Sequence, residues 1–246
     1  MSRPSPAIAP VPDEAPQPPA EGLSVQRIVA AAIAMADAEG LDGLSMRRVA
    51  TRLGAGTMSL YRYVPGKDAL IELMVDAVHG EERQAPPADA GWRVLLRYAA
   101  RREWRLYSRH PWLLQTVATT RPPFGPNVLT ELERTMQAMD GLGLAPVITH
   151  WVAIAVSAQV QGAALLLVSE VEEERRTGRT TLQWRADKMP AIREIIDTGQ
   201  FPMLTRLLEE QDDVADIDAW FEFSLNRLLD GLAVFVESET RPPRTL

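Results

Sequence analysis

Between Ser24 and Pro65 the chain alternates short apolar runs of helical period with residues that start or stop helices. This punctuation limits the fold more than any other feature. Val25, Ile28, Val29, Ala32, Ile33 and Ala36 recur at i, i+3, i+4, i+7, i+8 and i+11, one apolar stripe on one helix. Ser24 can cap that helix by accepting a backbone N–H, and Gly40 stops it before the turn Leu41-Asp42-Gly43-Leu44. Ser45 caps a second, short helix with Met46, Val49, Ala50 and Leu53 inward, and Gly54 supplies the freedom its C-terminus needs. Thr57 is placed to cap a third helix reaching about Val64, where Pro65 cannot continue it. A fourth follows from about Gly66, with Leu70, Ile71, Leu73, Met74, Ala77 and Val78 inside. Three helices, the last two short and joined by a glycine-containing turn, make a helix-turn-helix unit.

Charge points the same way. The formal net charge is -7, yet from Ser45 to Lys67 every charged residue is a cation: Arg47, Arg48, Arg52, Arg62 and Lys67. An acidic protein with one basic face binds a polyanion there and repels it elsewhere. In helix-turn-helix units the second short helix enters the major groove, its first residues meeting base edges. Thr57, Met58 and Ser59 occupy that front, Tyr61, Arg62 and Tyr63 lie further along, and Lys67 opens the next helix. On spacing alone a second reading stands beside this one. Helical hairpins occur inside enzymes, arginines on short helices form solvated faces, and Tyr61 or Tyr63 fits a core role.

The remaining chain reads as helical, and the fold class is all-α. Met1 to Gly22 holds seven prolines and no apolar segment, so residues 1–22 are expected to be a disordered tail without a signal peptide. The absence of cysteine excludes disulfides and thiolate metal sites and fits a reducing, cytoplasmic setting. Gly141 to Ser169 is uncharged and long enough to span a bilayer. Thr149, His150, Gln159 and Gln161 favour a buried helix of a soluble protein instead, expected over Pro146–Val171. Within it Ala155, Ala158 and Gly162 allow close helix packing, and charged Glu172–Arg185 reads as a loop. Pro86-Pro87 lies in a linker over Gln84–Gly91, after which Val94, Leu95, Tyr98, Ala99, Arg102 and Leu106 mark a helix over Trp92–His110. Leu129, Leu132, Met136 and Met139 mark another over Asn127–Asp140, and Lys188–Glu210 reads as two short helices. Asp216–Glu237 has a narrow polar side, Asp218, Glu222, Asn226 and Asp230, and so needs partners on two sides. There is no P-loop, G-x-S-x-G or H-E-x-x-H, and the three histidines lack metal-ligand spacing, so neither an enzyme nor a cofactor is expected.

Ser24–Val78 resembles the DNA-binding domain of the TetR family of bacterial repressors. The resemblance is carried by Ala32–Ala50, Leu53-Gly54 and Ser59–Leu70, with the Leu60-Tyr61-x-Tyr63-Val64-x-x-Lys67 signature. It implies base or groove contacts from Arg47 and Thr57–Ser59, and phosphate contacts from Tyr61, Tyr63 and Lys67. Arg62 suits either role, and Ser24 and Ser45 would present helix N-termini to phosphates. Beyond Trp104 the chain resembles the tetracycline-repressor-like C-terminal domain. That implies a DNA-binding domain over 23–82, a regulatory and dimerisation domain over 91–240, and a homodimer joined by its last two long helices. It also implies a palindromic operator in double-stranded DNA, an inducer pocket, and no membrane association. The metal-bound histidine of the tetracycline repressor corresponds to Val117 here, and an expected acid to Leu166, so magnesium-tetracycline does not suit this chain. An apolar or aromatic effector does. Candidate lining residues are Trp104, Tyr107, Trp112, Val117, Phe124, Met136, Met139 and Trp151, with His150 or Gln159 as polar handles. The alternative is a constitutive DNA-binding regulator with no inducer.

Overall fold

The computed structural model describes residues 22–81, 89–119, 121–209 and 216–240. The expected tail at 1–21 and most of the linker at 84–91 lie outside them. The described residues form helices α1 (Val25–Glu39), α2 (Met46–Arg52), α3 (Thr57–Tyr61), α4 (Lys67–His79), α5 (Trp92–Arg109) and α6 (Trp112–Val117). These are followed by α7 (Pro126–Gln137), α8 (Pro146–Thr177), α9 (Thr181–Ile196), α10 (Pro202–Glu209) and α11 (Ile217–Thr240). There is no strand among them.

The local signals place α1 and α2 as expected. Ser24 Oγ accepts the Arg27 N–H at 3.2 Å and Ser45 Oγ that of Arg48 at 3.3 Å. Gly40 and Gly54 adopt positive φ, 74° and 64°, where a side chain would be strained. α3 departs from expectation. Gly56, not Thr57, is the N-cap, no side chain caps the helix, and it ends at Tyr61 rather than Val64. Ile28, Leu44, Val49, Leu60, Val64, Leu70 and Met74 close a shared core beneath the four helices. In α4 the inner face includes Val75, whereas Leu73 is exposed.

The core continues into the larger helices. In α5 the buried residues are Leu96, Ala100, Arg102, Trp104, Leu106 and Tyr107. Arg102 and Leu106 are thus inside as expected, whereas Val94 faces solvent. α5 and α11 run antiparallel and are zipped by polar pairs in strict order. Arg93 bonds Asp230, Arg97 bonds Asn226 at 2.7 Å, Arg101 bonds Glu222 at 2.6 and 2.9 Å, and the Trp104 indole N–H bonds Asp218 at 2.9 Å. The narrow polar side of α11 thus faces α5, not water. Trp104 also stacks on Phe221 with centroids 4.5 Å apart.

α8 extends through the charged segment expected to be a loop. The Glu173–Arg176 pair supports its last turn, and Gly178 ends it at φ 69°. α9 then starts at once, its N-terminus held by a capping box of Thr180 and Gln183. α8 is the one described helix long and apolar enough to cross a membrane, at mean hydropathy 1.8. It is not buried all round. Val152, Val156, Val160, Ala164 and Val168 pack inward, while Trp151, Ile154, Leu165 and Leu166 are exposed. Ala155, Ala158 and Gly162 are exposed, and a Cβ added at Gly162 would meet nothing within 4 Å.

Candidate DNA-contacting face and ligand cavity

The helix-turn-helix presents one continuous outer surface. Arg47, Met58, Tyr61, Arg62, Tyr63 and Lys67 are all exposed, and Thr57 and Ser59 are partly so. Neither tyrosine is a core aromatic: Tyr61 and Tyr63 keep 44% and 36% of their surface. Ser45 is occupied as the α2 cap. The five cations are not equivalent. The Arg48 guanidinium binds both Glu39 oxygens, at 2.7 and 2.9 Å, and this pairing lowers the Glu39 pKa and raises that of Arg48. Its charge is shared within the protein. The Lys67 ammonium donates to Leu41 O at 2.9 Å, tying α4 to the α1–α2 turn and retaining donors for an anion.

A cavity of about 310 Å³ opens between α5, α7 and α8, with the end of α4 as one edge. Its walls are mostly apolar, and Pro122, Pro123 and exposed Phe124 stand at one side. Of the ten ligand-contact candidates, Tyr107, Val117 and Phe124 line it. The other seven do not. Trp104 is committed to Phe221 and Asp218. The Trp112 indole donates to Asp37 at 2.7 Å. Met139 is in the core, and Trp151 lies on the outer face of α8, 62% exposed. Gln159 donates to Ser224 on α11 at 2.6 Å. Met136 and His150 do not line the cavity either, whereas Gln161, two residues beyond Gln159, does.

Sequence reasoning missed the polar lining. Glu103 lies among Tyr107, Ser157 and Gln161, its Oε1 accepting from Tyr107 at 2.8 Å and Ser157 at 2.7 Å. Burial pushes the Glu103 carboxyl pKa up, against those hydrogen bonds, and drives the Tyr107 phenol well above its ordinary value. Arg102 is 4% exposed and pairs with Glu131 of α7 at 2.6 Å, also donating to His79 O. Burial lowers the His79 pKa, and its Nδ1 lies 2.8 Å from Val75 O. The regular i, i+4 spacing of Glu103 and Tyr107 was the available signal.

Two of the polar links from the larger helices to the helix-turn-helix are centred on aspartate side chains, beside the Arg102 bond to His79 O and the Arg175 bond to Asp37 O. Asp76 of α4 caps α7: its Oδ1 accepts the backbone N–H groups of Asn127 at 2.8 Å and Val128 at 3.2 Å. Asn127 Nδ2 returns to Asp76 O and Oδ2, both at 3.0 Å. Asp37 of α1 meets Trp112 and lies 2.8 Å from His110 Nδ1, while His110 Nε2 lies 3.1 Å from Glu81.

Comparison with known proteins decides the family. Residues 28–74 match the bacterial regulatory proteins of the tetR family, and residues 85–236 match the tetracyclin repressor-like C-terminal domain. The chain belongs to the TetR family. It is 44% identical over 220 residues to the HTH-type transcriptional repressor DrrR1 of Streptomyces coeruleorubidus, covering 89% of this chain and 80% of that one. The tetracycline repressor protein class G of Vibrio anguillarum is 26% identical over 209 residues, covering 83% and 90% of the two chains. Among solved structures, the Streptomyces coelicolor TetR family protein ActR in complex with actinorhodin superposes with TM-score 0.70 at 31% identity. The match covers 87% of this chain and 97% of that one. As a TetR family member the chain is a DNA-binding transcriptional regulator, all-α, with its helix-turn-helix preceding a larger helical region.

Proposed function

We propose that this TetR family regulator is a homodimeric repressor, released from a palindromic operator by a small apolar or aromatic molecule bound in the α5–α7–α8 cavity. The observation that carries the reading is the Asp76 cap. The helix that supplies Val128, Glu131, Leu132 and Thr135 to the cavity wall has its N-terminus held by α4, the helix that Lys67 opens. A ligand that repositions α7 changes the orientation of the DNA-contacting unit, provided it binds the two arrangements with different affinity. The apolar lining and the absence of a histidine at Val117 favour an effector that needs no metal. The ligand-bound ActR structure and the repressor DrrR1 support release by a small molecule and repression respectively.

The exposed apolar faces support a dimer. Ile154, Leu165 and Leu166 on α8, and Trp220, Phe223 and Val234 on α11, would be left in water in a monomer. Small Ala155, Ala158, Gly162 and Gly231 sit on these faces and let a second pair of helices approach closely. Two-fold symmetry would then set two α3 helices one DNA turn, about 34–36 Å, apart. In this reading Arg47 and Thr57–Ser59 meet bases or the groove, and Tyr61, Tyr63 and Lys67 meet phosphates. The test is fluorescence anisotropy on DNA upstream of its own gene, across a salt series, with and without candidate effectors. Tight, sequence-selective binding that an effector abolishes is the expected result. Selective binding that no cavity ligand alters leaves the constitutive regulator, and equal weak binding to any duplex refutes operator recognition.

A further inference from the structure

One carboxylate of the cavity lining, Glu103, has no direct ion pair, although Arg102 attracts it through space. The titratable side chains of the lining are His79 from α4, Arg102, Glu103 and Tyr107 from α5, and Glu131 from α7; α8 contributes only neutral Ser157 and Gln161. Arg102 and Glu131 neutralise each other at 2.6 Å, and Arg134 adds a second cation to Glu131 at 2.8 Å. His79 is held neutral by burial. Tyr107 keeps its proton and donates it to Glu103. Glu103 alone has no ion pair among the described residues. Its partners, Tyr107, Ser157 and Gln161, are uncharged donors.

A carboxylate in such a place is costly to desolvate and is compensated only by a charge or by strong donors. An apolar molecule filling this cavity excludes water from Glu103. A ligand anion would face it across a low-dielectric space. A ligand hydroxyl supplies one neutral donor, whereas an ammonium supplies donors and a positive charge in direct contact with the carboxylate. We propose that the cavity selects an apolar or aromatic molecule bearing a protonated amine, with Glu103 as the anion that holds the amine and Tyr107 and Ser157 fixing the carboxylate. This rests on the reading of the cavity as the effector site. A proton on Glu103 competes with the ligand cation, so selectivity falls as acid titrates Glu103; His79, once protonated, repels the amine in the same sense.

The test uses the full chain and three matched probes: naphthalen-2-ylmethanamine, naphthalen-2-ylmethanol and 2-naphthoate. Calorimetric titration at neutral pH is expected to give the amine about tenfold or more tighter binding than the alcohol, with the carboxylate weakest. Glu103→Gln is expected to remove the amine's advantage and bring amine and alcohol to equal affinity. Thr135→Trp, which fills the cavity from α7, should abolish binding of all three. Equal affinity of amine and alcohol for the wild-type chain overturns the proposal while leaving the cavity as an effector site; this comparison needs no variant. A preference that survives Glu103→Gln also overturns it. Failure of all three probes to bind, or binding unaffected by Thr135→Trp, removes the cavity reading and the proposal with it.

Discussion

Removing the Asp76 carboxylate should cost more than an ordinary half-buried substitution, because one residue serves four hydrogen bonds in two helices. Its Oδ1 takes two of the otherwise orphaned N–H groups at the α7 N-terminus, and Asn127 Nδ2 bridges back to Oδ2 and the Asp76 carbonyl. Loss of an N-cap costs about 0.5–2 kcal/mol. Loss of a negative charge at a helix N-terminus adds about 0.3–1 kcal/mol. Asp76→Ala is therefore expected to destabilise by about 1–3 kcal/mol, or about 2–12 °C in Tm for a chain of this size. Gly125 gives an independent check. Its φ of -135° is open to any residue, but a Cβ there would lie 2.2 Å from Asp76 Oδ1, 2.4 Å from Cγ and 2.7 Å from Cβ. Gly125→Ala should cost about 1–3 kcal/mol by overpacking. In the Asp76→Ala background the two closest of those atoms are gone, so the double variant should be more stable than the sum of the singles predicts, by about 1 kcal/mol. Thermal and urea unfolding of the four proteins measures the cycle. A single-variant cost under about 0.5 kcal/mol, or additivity within that margin, refutes the claim that Asp76 joins α4 to α7.

Three further outcomes follow from the same structure. Leu166→Glu or Phe223→Glu should convert the proposed dimer to a helical monomer, read by light scattering and circular dichroism; an unchanged dimer would place the interface elsewhere. Tyr61→Ala and Lys67→Ala should weaken operator binding without unfolding the protein. Lys67→Ala should also flatten the slope of log K against log salt by about 0.9 for each phosphate its ammonium neutralises, and Arg48→Ala, whose charge Glu39 already shares, by less. Glu103→Gln should raise Tm at neutral pH. A carboxyl whose folded pKa is raised binds its proton more tightly in the native state, so stability falls as pH rises from the unfolded value, near 4.5, through the folded one. The variant's advantage should vanish below pH about 4, and an advantage independent of pH would assign it to packing instead.

What was legible in the sequence was local. Ser24, Gly40, Ser45 and Gly54 act within a few residues of their own positions, so the first two helices and their caps could be read directly. Thr57 failed because Gly56, with no side chain, took the cap position instead. The α8–α9 junction was legible and overlooked: Thr180-x-x-Gln183 is a capping-box pattern, and Glu173 and Arg176 are an i, i+3 pair on a helix. The α5 register was harder. Its buried stripe includes Arg102, whose partners Glu131 and His79 come from other helices. The cavity was least legible for the same reason. Trp104 and Trp112 have the composition of pocket residues, but their indole N–H groups are claimed by Asp218 and Asp37, 114 and 75 residues away. Between Gln159 and Gln161, a turn of about 200° on the helix separates a bond to α11 from the cavity.

The two aspartate links between the helix groups bear on how release can work. Asp37 holds α1 to His110 and Trp112, around the start of α6; Asp76 holds α4 to α7. α1 and α4 are packed on one core with Leu60 of α3, so the DNA-contacting unit moves as a body rather than bending within itself. A body anchored at several points shifts when one anchor moves relative to the rest. α7, held to α5 by the Arg102–Glu131 pair, is the anchor that carries cavity walls along its length; α6 contributes Val117 at its end. Coupling between effector and operator in such regulators needs about 1–3 kcal/mol. The Asp76 cap, at about 1–3 kcal/mol, is of the same size as that coupling. In the proposed release, the cap therefore transmits α7 displacement to α4 as a rigid joint. Cutting it should leave ligand binding and operator binding each intact while the influence of one on the other disappears.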